Sequence, residues 1–246
     1  MTFNQLDNAP AVPEVIVTRD GSRTLRLADG EGYKSLAGAH TEARHVYLEA
    51  SGVAERLRAG AASRVLEVGF GTGLLFLVTA ELAATTGTEL TYVGVEKAPP
   101  PADLLAELGY EQLLAPSQLP AQLLTWREGL GRVPAQGRHD LALGATRLSL
   151  HVADALTCLE DTGRGAVEGA FHAIYHDAFS PRTNPDLWDA RFLTSLATRL
   201  EPGGRLVSFS VAGSVRRALA GASLTVAKRQ GPPGGKREVL VATRPA

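Results

Sequence analysis

The chain has 246 residues, of which 44% are hydrophobic and 21% charged, and its net charge is −1. This length and balance fit one large globular domain with a full core, and exclude a disordered or fibrous chain. A lone cysteine, Cys158, excludes a disulfide framework and a cysteine metal site. No apolar run is long enough to span a bilayer. The start, MTFNQLDNAP, lacks the basic head and apolar stretch of a signal peptide, so the expected location is the cytoplasm.

In chain order, the runs 14–18 and 24–27 flank Asp20-Gly21 and predict an N-terminal hairpin. Residues 41–57 have a helical apolar side built on Ala43, Val46, Tyr47, Ala50 and Leu57. A first core strand follows at 64–68 and its helix at 74–84. A second strand at 89–95 ends in Glu96, and Pro99, Pro100 and Pro101 delay the next helix, at 103–108. Residues 111–124 predict helix, interrupted near Pro116 and Pro120. The runs 141–143 and 147–151 predict a short β-pair before Asp154, and 171–176 a strand before Asp177. A helix at 187–200, a turn at Pro202-Gly203-Gly204, a strand at 205–210 and a short helix at 214–220 come next. The runs 223–228 and 238–243 close the chain as a strand pair.

Strands alternating with helices predict a mostly parallel sheet covered on both faces. Ligands bind beyond the carboxyl ends of such strands. Glu67, Glu96, Asp154 and Asp177 each end a different predicted strand, so four acids are expected at that edge. Each also has a plain alternative as the cap of a following helix. That alternative is strongest for Asp154, which precedes Ala155–Leu159.

Between the first strand and its helix the chain reads VLEVGFGTGL, from Val65 to Leu74. Glycines at 69, 71 and 73 permit a tight turn and close approach of backbone N–H groups to a ligand at a helix start. A dinucleotide fingerprint would need a glycine at position 74, where Leu74 stands, and an acid ahead of the turn would repel a pyrophosphate. The pattern E-x-G-x-G-x-G instead resembles the first motif of class I methyltransferases, which bind S-adenosylmethionine. The resemblance implies a Rossmann-like sheet with helices on both faces, here with an N-terminal hairpin extension over residues 1–35 and the methyltransferase domain over 36–246. It implies cofactor contacts from Gly69, Gly71 and Gly73, with Glu67 near the methionine end. Glu96 would accept from the ribose hydroxyls, Asp154 from the adenine amino group, and Asp177 would lie where the methyl acceptor arrives. S-adenosylhomocysteine would be the product.

A narrower likeness rests on YKSLAGAHTEARHVYLEASGV, GVEKAPP, DAFSPRTNPDLW, LEPGGRLVSFSVAGSVRRAL and GGKREVLVA, spread from Tyr33 to about Val241. Their order resembles the methyltransferase domain of the MnmC family, in a stand-alone form without the oxidase domain. The resemblance implies methylation of 5-aminomethyl(-2-thio)uridine at the wobble position of tRNA, with a separate oxidase as the supplier of the amine. Asp177 would orient the amine and take its proton, and Phe179 would stack on the uracil, core packing being its alternative role. Such a displacement needs no metal. Methylation of another amine, on a small molecule or a protein, and a non-catalytic S-adenosylmethionine-binding module are the competing readings.

Charge is unevenly placed. From Arg216 to the end there are seven basic residues and one acid, a net +6, against −7 for the remainder. Such a segment marks a face for phosphate or a solvated surface. Arg216, Arg217, Lys236 and Arg237 are the candidate RNA-binding residues.

Overall fold

The computed structural model describes residues 13–114, 116–160, 167 and 169–246. Strands β1 (Glu14–Val17) and β2 (Arg23–Arg26) form the expected hairpin. It is not a loose appendage, because Leu25 is fully buried in the main core. The predicted helix at 41–57 is divided. A short α1 (Ala39–Glu42) leads into a wide π-helical segment, Ala43–Glu49, and α2 (Val53–Arg58) begins after Gly52, which sits at φ 82°. Gly52 is the physical reason for the break.

The main sheet holds β3 (Ser63–Val68), β4 (Leu90–Glu96), β5 (Gly137–Leu143), β6 (Thr146–Val152), β7 (Phe171–His176), β8 (Leu200–Ser208), β9 (Thr225–Gln230) and β10 (Glu238–Thr243). Their spatial order is β5-β6-β4-β3-β7-β8-β10-β9. Strands β6, β4, β3, β7 and β8 are parallel, while β5 and β10 pair antiparallel to their inner neighbours. From β3 the chain builds outward to β4 on one side and later to β7 on the other. The carboxyl end of β3 is therefore the switch point, where a crevice opens.

Helix α3 (Leu74–Thr86) joins β3 to β4. Helices α4 (Ala102–Ala106), α5 (Tyr110–Leu113) and α6 (Leu119–Gly129) precede β5. With the N-terminal helices they cover one face of the sheet, over a core that includes Tyr47, Phe76 and Tyr92. The other face carries α7 (Ala155–Glu160), a 3₁₀ turn at Pro185–Trp188, α8 (Ala190–Thr198) and α9 (Gly213–Gly221), over Leu66, Ile174, Phe192 and Leu206. Both sides of β3 are thus covered, as its run of Val65, Leu66 and Val68 requires. Each such fully buried aliphatic side chain contributes about 1.5–3 kcal/mol.

One expectation is corrected. Pro202-Gly203-Gly204 is not a turn but part of β8, whose pairing with β7 shifts register between Phe171 and Ala173. That irregularity accommodates the proline and glycines within the strand. Among the described residues, no helix is long and apolar enough to cross a membrane.

Candidate active site

A cavity of about 390 Å³ opens beyond the carboxyl ends of β3, β4, β6 and β7. The turn after β3 forms part of its wall, with Gly69 at φ 89° and Gly71 at φ 51°. A side chain at 69 would bring its Cβ within 2.6 Å of the Asp177 carbonyl oxygen, and one at 71 would meet the Tyr33 ring at 3.1 Å. Gly73 caps the start of α3 and is not on the wall.

Glu96 ends β4 on the cavity wall. Its carboxylate accepts from the Gly71 N–H and the Ala98 N–H, both at 2.9 Å, so it also braces the glycine turn. Asp154 lies on the wall after β6. One oxygen accepts from the Leu156 N–H at 3.0 Å and the other from Lys97 at 2.9 Å. The Lys97 hydrogen bond holds the Asp154 carboxyl below its ordinary range. The capping alternative for Asp154 is thus present, and it coexists with a place at the cavity.

Glu67 is placed differently from the other acids. It is fully buried under the turn, accepts from the Tyr92 hydroxyl at 2.6 Å, and is not on the cavity wall. Its other oxygen, Oε1, is buried without a hydrogen-bond partner. Burial pushes its carboxyl up to about 8, against the opposing pull of Lys34 and Tyr92. Its surroundings offer a carboxyl inside the protein, one layer behind the cavity.

Asp177 ends β7 and its carboxylate is held on both oxygens. Oδ2 forms a short ion pair with the Lys34 ammonium, and Oδ1 accepts from the Tyr47 hydroxyl at 2.5 Å. The Lys34 ammonium also lies 5.4 Å from the centre of the Tyr47 ring. Burial lowers the Lys34 pKa, while Glu67 and Glu42 act to raise it.

Phe179 is half-buried on the wall and meets Tyr33 edge to face, with ring centres 5.0 Å apart. The loop that carries it is anchored twice. Glu31 accepts from the Ser180 N–H at 2.6 Å and from the Thr183 hydroxyl. The Trp188 indole donates to the Phe179 carbonyl at 2.7 Å. Trp188 is core, as its spacing with Phe192 predicts, and packs edge to face on His176 at 4.3 Å. His176 faces away from the cavity, bonded to the Leu187 carbonyl oxygen, and burial pushes it down to about 4. It is a neutral core histidine.

Of the four basic candidates, Lys236 comes nearest the cavity. Its ammonium lies 4.3 Å from the centre of the Phe209 ring, and Phe209 is on the wall. Arg237 is exposed beside it, and Glu238 pairs with Lys228 at 2.7 Å. Arg216 and Arg217 are exposed on α9.

Sequence reasoning missed Glu31, Lys34 and Tyr47 as site residues. Tyr33, Lys34 and Tyr47 stand in the string YKSLAGAHTEARHVY, which marks the family likeness but carries no local motif. Lys34 lies 143 positions from Asp177 and Tyr47 lies 130, so only the fold joins them.

The sequence profile of an S-adenosyl-L-methionine-dependent methyltransferase family matches residues 123–245. The bifunctional protein MnmC of Chromobacterium violaceum, named for tRNA 5-methylaminomethyl-2-thiouridine biosynthesis, is 35% identical over 91% of this chain and 33% of its own length. Its namesake from Caulobacter vibrioides is 33% identical over 96% of this chain and 39% of its own. The chain thus spans about a third of the curated relatives it matches. The crystal structure of MnmC2 from Aquifex aeolicus superposes with a TM-score of 0.73 at 25% identity, covering 98% of this chain and 74% of that one. Spermidine synthase from Thermotoga maritima shares the fold, with a TM-score of 0.52 at 13% identity over 94% of this chain and 69% of that one. With the glycine turn and the acids at the strand ends, the chain belongs to the S-adenosyl-L-methionine-dependent methyltransferase family and is similar in sequence and fold to MnmC proteins.

Proposed function

We propose that this methyltransferase converts 5-aminomethyl(-2-thio)uridine at the wobble position of tRNA to its methylaminomethyl form, in the cytoplasm. An oxidase outside these 246 residues would supply the primary amine. The observation that carries this reading is a single wall bearing the Asp177 carboxylate and the Phe179 ring, beside the glycine turn. A base and an amine on one short arm fit that pair. The names of the MnmC relatives point to the same substrate.

The residues present fit S-adenosylmethionine. The backbone turn at Gly69 and Gly71 leaves no side chain between the strand end and the cavity, and Glu96 and Asp154 stand on its wall as acceptors for hydroxyl and amino groups. When bound there, S-adenosylmethionine would supply an electrophilic methyl for the amine nitrogen, with its sulfur as the leaving group. Asp177 aligns the amine, and alignment alone supplies much of the acceleration in such displacements. Asp177 then takes one proton from the methylated nitrogen and passes it to water, which leaves a neutral secondary amine. Phe179 stacks on the unstacked uracil, an interaction worth about 1–3 kcal/mol. Tyr33 stays neutral opposite, because burial and the Glu96 charge push its hydroxyl up to about 12.

The test uses labelled S-adenosylmethionine, purified protein and tRNA from cells that lack the final methyl, followed by digestion to nucleosides. Label in 5-methylaminomethyl nucleoside is expected. Label absent from tRNA but present in a small amine or a protein would favour the competing substrate class.

A further inference from the structure

Lys34 is unusual in its company. Its ammonium is buried at the cavity wall and ion-paired with Asp177 from the end of β7. Tyr47 faces it from the π-helical segment. Glu67 from β3 and Glu42 from α1 act on it at longer range. Glu42 accepts from the Ser35 N–H and also feels Lys236, while Glu96 acts across the cavity on Tyr33. Burial raises the Glu67 carboxyl to about 8, against the opposing pull of Lys34, which weakens the negative charge it carries near neutral pH. The charges closest to the proposed acceptor position are the Lys34 ammonium and the Asp177 carboxylate, directly paired and almost fully buried.

An alkylamine in water is mostly ammonium at pH 7, and an ammonium has no lone pair to attack with. Entering here as a cation, it would compete with Lys34 for Asp177 and sit beside a buried like charge, which disfavours the charged form. A neutral amine meets no such penalty. It can donate to an Asp177 oxygen while its lone pair stays free.

We propose that Lys34 is a positioning residue that makes the site select the uncharged acceptor amine, by keeping the Asp177 carboxylate paired and a positive charge beside the nucleophile. The ammonium form of the substrate gives up one proton to solvent on binding. The neutral nitrogen then attacks, and the second proton leaves after transfer. This rests on the amine-acceptor reading of the site.

The experiment counts protons. tRNA bearing 5-aminomethyluridine, and the same tRNA lacking the aminomethyl group, are each titrated into protein with S-adenosylhomocysteine at pH 7.0. Calorimetry in two buffers of different ionisation enthalpy gives the protons exchanged. Wild type is expected to release about one more proton with the aminomethyl tRNA. Lys34→Arg should keep that release and Lys34→Gln should lose most of it. In parallel, the ascending limb of the pH profile of kcat at saturating tRNA, which reports groups in the bound complex, should move up by about one unit or more in Lys34→Gln and stay in place in Lys34→Arg. The sign follows from charge: without Lys34 the lone Asp177 carboxylate stabilises the ammonium, so a higher pH is needed to free the lone pair. A thermal melt shows whether Lys34→Gln is folded. Should it not fold, Asp177→Asn tests the same electrostatics in the opposite direction, with the limb expected at lower pH. Wild-type proton counts and an unmoved limb in Lys34→Gln, or an unmoved limb in Asp177→Asn, would overturn the proposal while leaving the substrate assignment standing. A wild-type protein that neither binds nor methylates aminomethyl tRNA would overturn both.

Discussion

Lys34 and Asp177 pair across 143 residues of sequence with only 4% of each side chain exposed, so the most buried ion pair of the described residues lies on the wall of the cavity. Removing one member of such a pair strands the other charge. Lys34→Ala and Asp177→Ala are each expected to cost about 3–5 kcal/mol in denaturant unfolding. The double change Lys34→Met, Asp177→Leu should cost much less than the sum of the single changes, because no charge is left unpaired. Strict additivity would mean that the two groups do not interact.

The glycine turn packs directly against the backbone at the end of β7. Gly69→Ala puts a Cβ 2.6 Å from the Asp177 carbonyl oxygen, at a backbone angle that alanine rarely adopts. Both the strain, on the order of 1–3 kcal/mol, and the displaced carbonyl act at once. S-adenosylhomocysteine affinity should fall about tenfold or more by calorimetry, and turnover should fall further. NAD should give no binding heat with the wild-type protein.

Glu96→Ala should act chiefly on affinity. A charge-assisted hydrogen bond is worth about 1.5–3 kcal/mol, so S-adenosylhomocysteine should bind about tenfold or more weakly. Glu96 also accepts from the Gly71 N–H, and its loss loosens the turn as well. Wild-type affinity in this variant would remove Glu96 from the cofactor site.

Glu67 makes stability depend on pH in an unusual direction. Its carboxyl lies at about 8 in the fold, against an ordinary value of 4.5. Between these values the unfolded chain has lost the proton and the folded chain still holds it, so stability falls as pH rises through that window. Below it both states are protonated and the penalty is absent. Glu67→Gln should therefore melt higher than wild type at pH 8, by several degrees for a gain on the order of 1–3 kcal/mol, and the gap should close near pH 4.5. An equal gap at both pH values would show that the carboxyl ionises inside the protein without cost.

The basic end of the chain has its own test. Reversing Lys236 and Arg237 to glutamate should weaken tRNA binding and flatten its salt dependence, by about 0.7–0.9 in logarithmic slope for each phosphate that is no longer neutralised. Cofactor binding should survive, since neither residue lines the cavity, and a thermal melt checks that losing the Lys236 contact with Phe209 has not unfolded the protein. Unchanged affinity at every salt concentration would move the RNA face elsewhere.

What could be read from sequence was local. The β3 strand, its glycine turn and α3 sit in one contiguous run, and β7 and β10 match their predicted bounds. Glu96, Asp154, Asp177 and Phe179 follow from strand ends, which the topology carries to one edge. Glu67 obeys the same rule but points behind the cavity, because alternate residues of a strand face opposite sides. The turn expected at Pro202-Gly203-Gly204 was a propensity overridden by pairing, since Gly203 and Gly204 bond across to Arg244. Lys34, Tyr47 and Glu31 had no local signature, and their meaning appears only when distant segments meet.

Glu31 and Lys34 leave the ribosome before any of the strands of the main sheet, whereas Asp177, Ser180 and Thr183 follow about 150 residues later. The contacts of Glu31 and Lys34 on the cavity wall are completed only when these later residues have been made. A nascent chain that has passed Val152 but not yet reached Asp177 carries the sequence of the glycine turn and Glu96 but neither β7, which flanks β3, nor Asp177, whose backbone the turn packs against, so the cavity is assembled from residues made far apart in time.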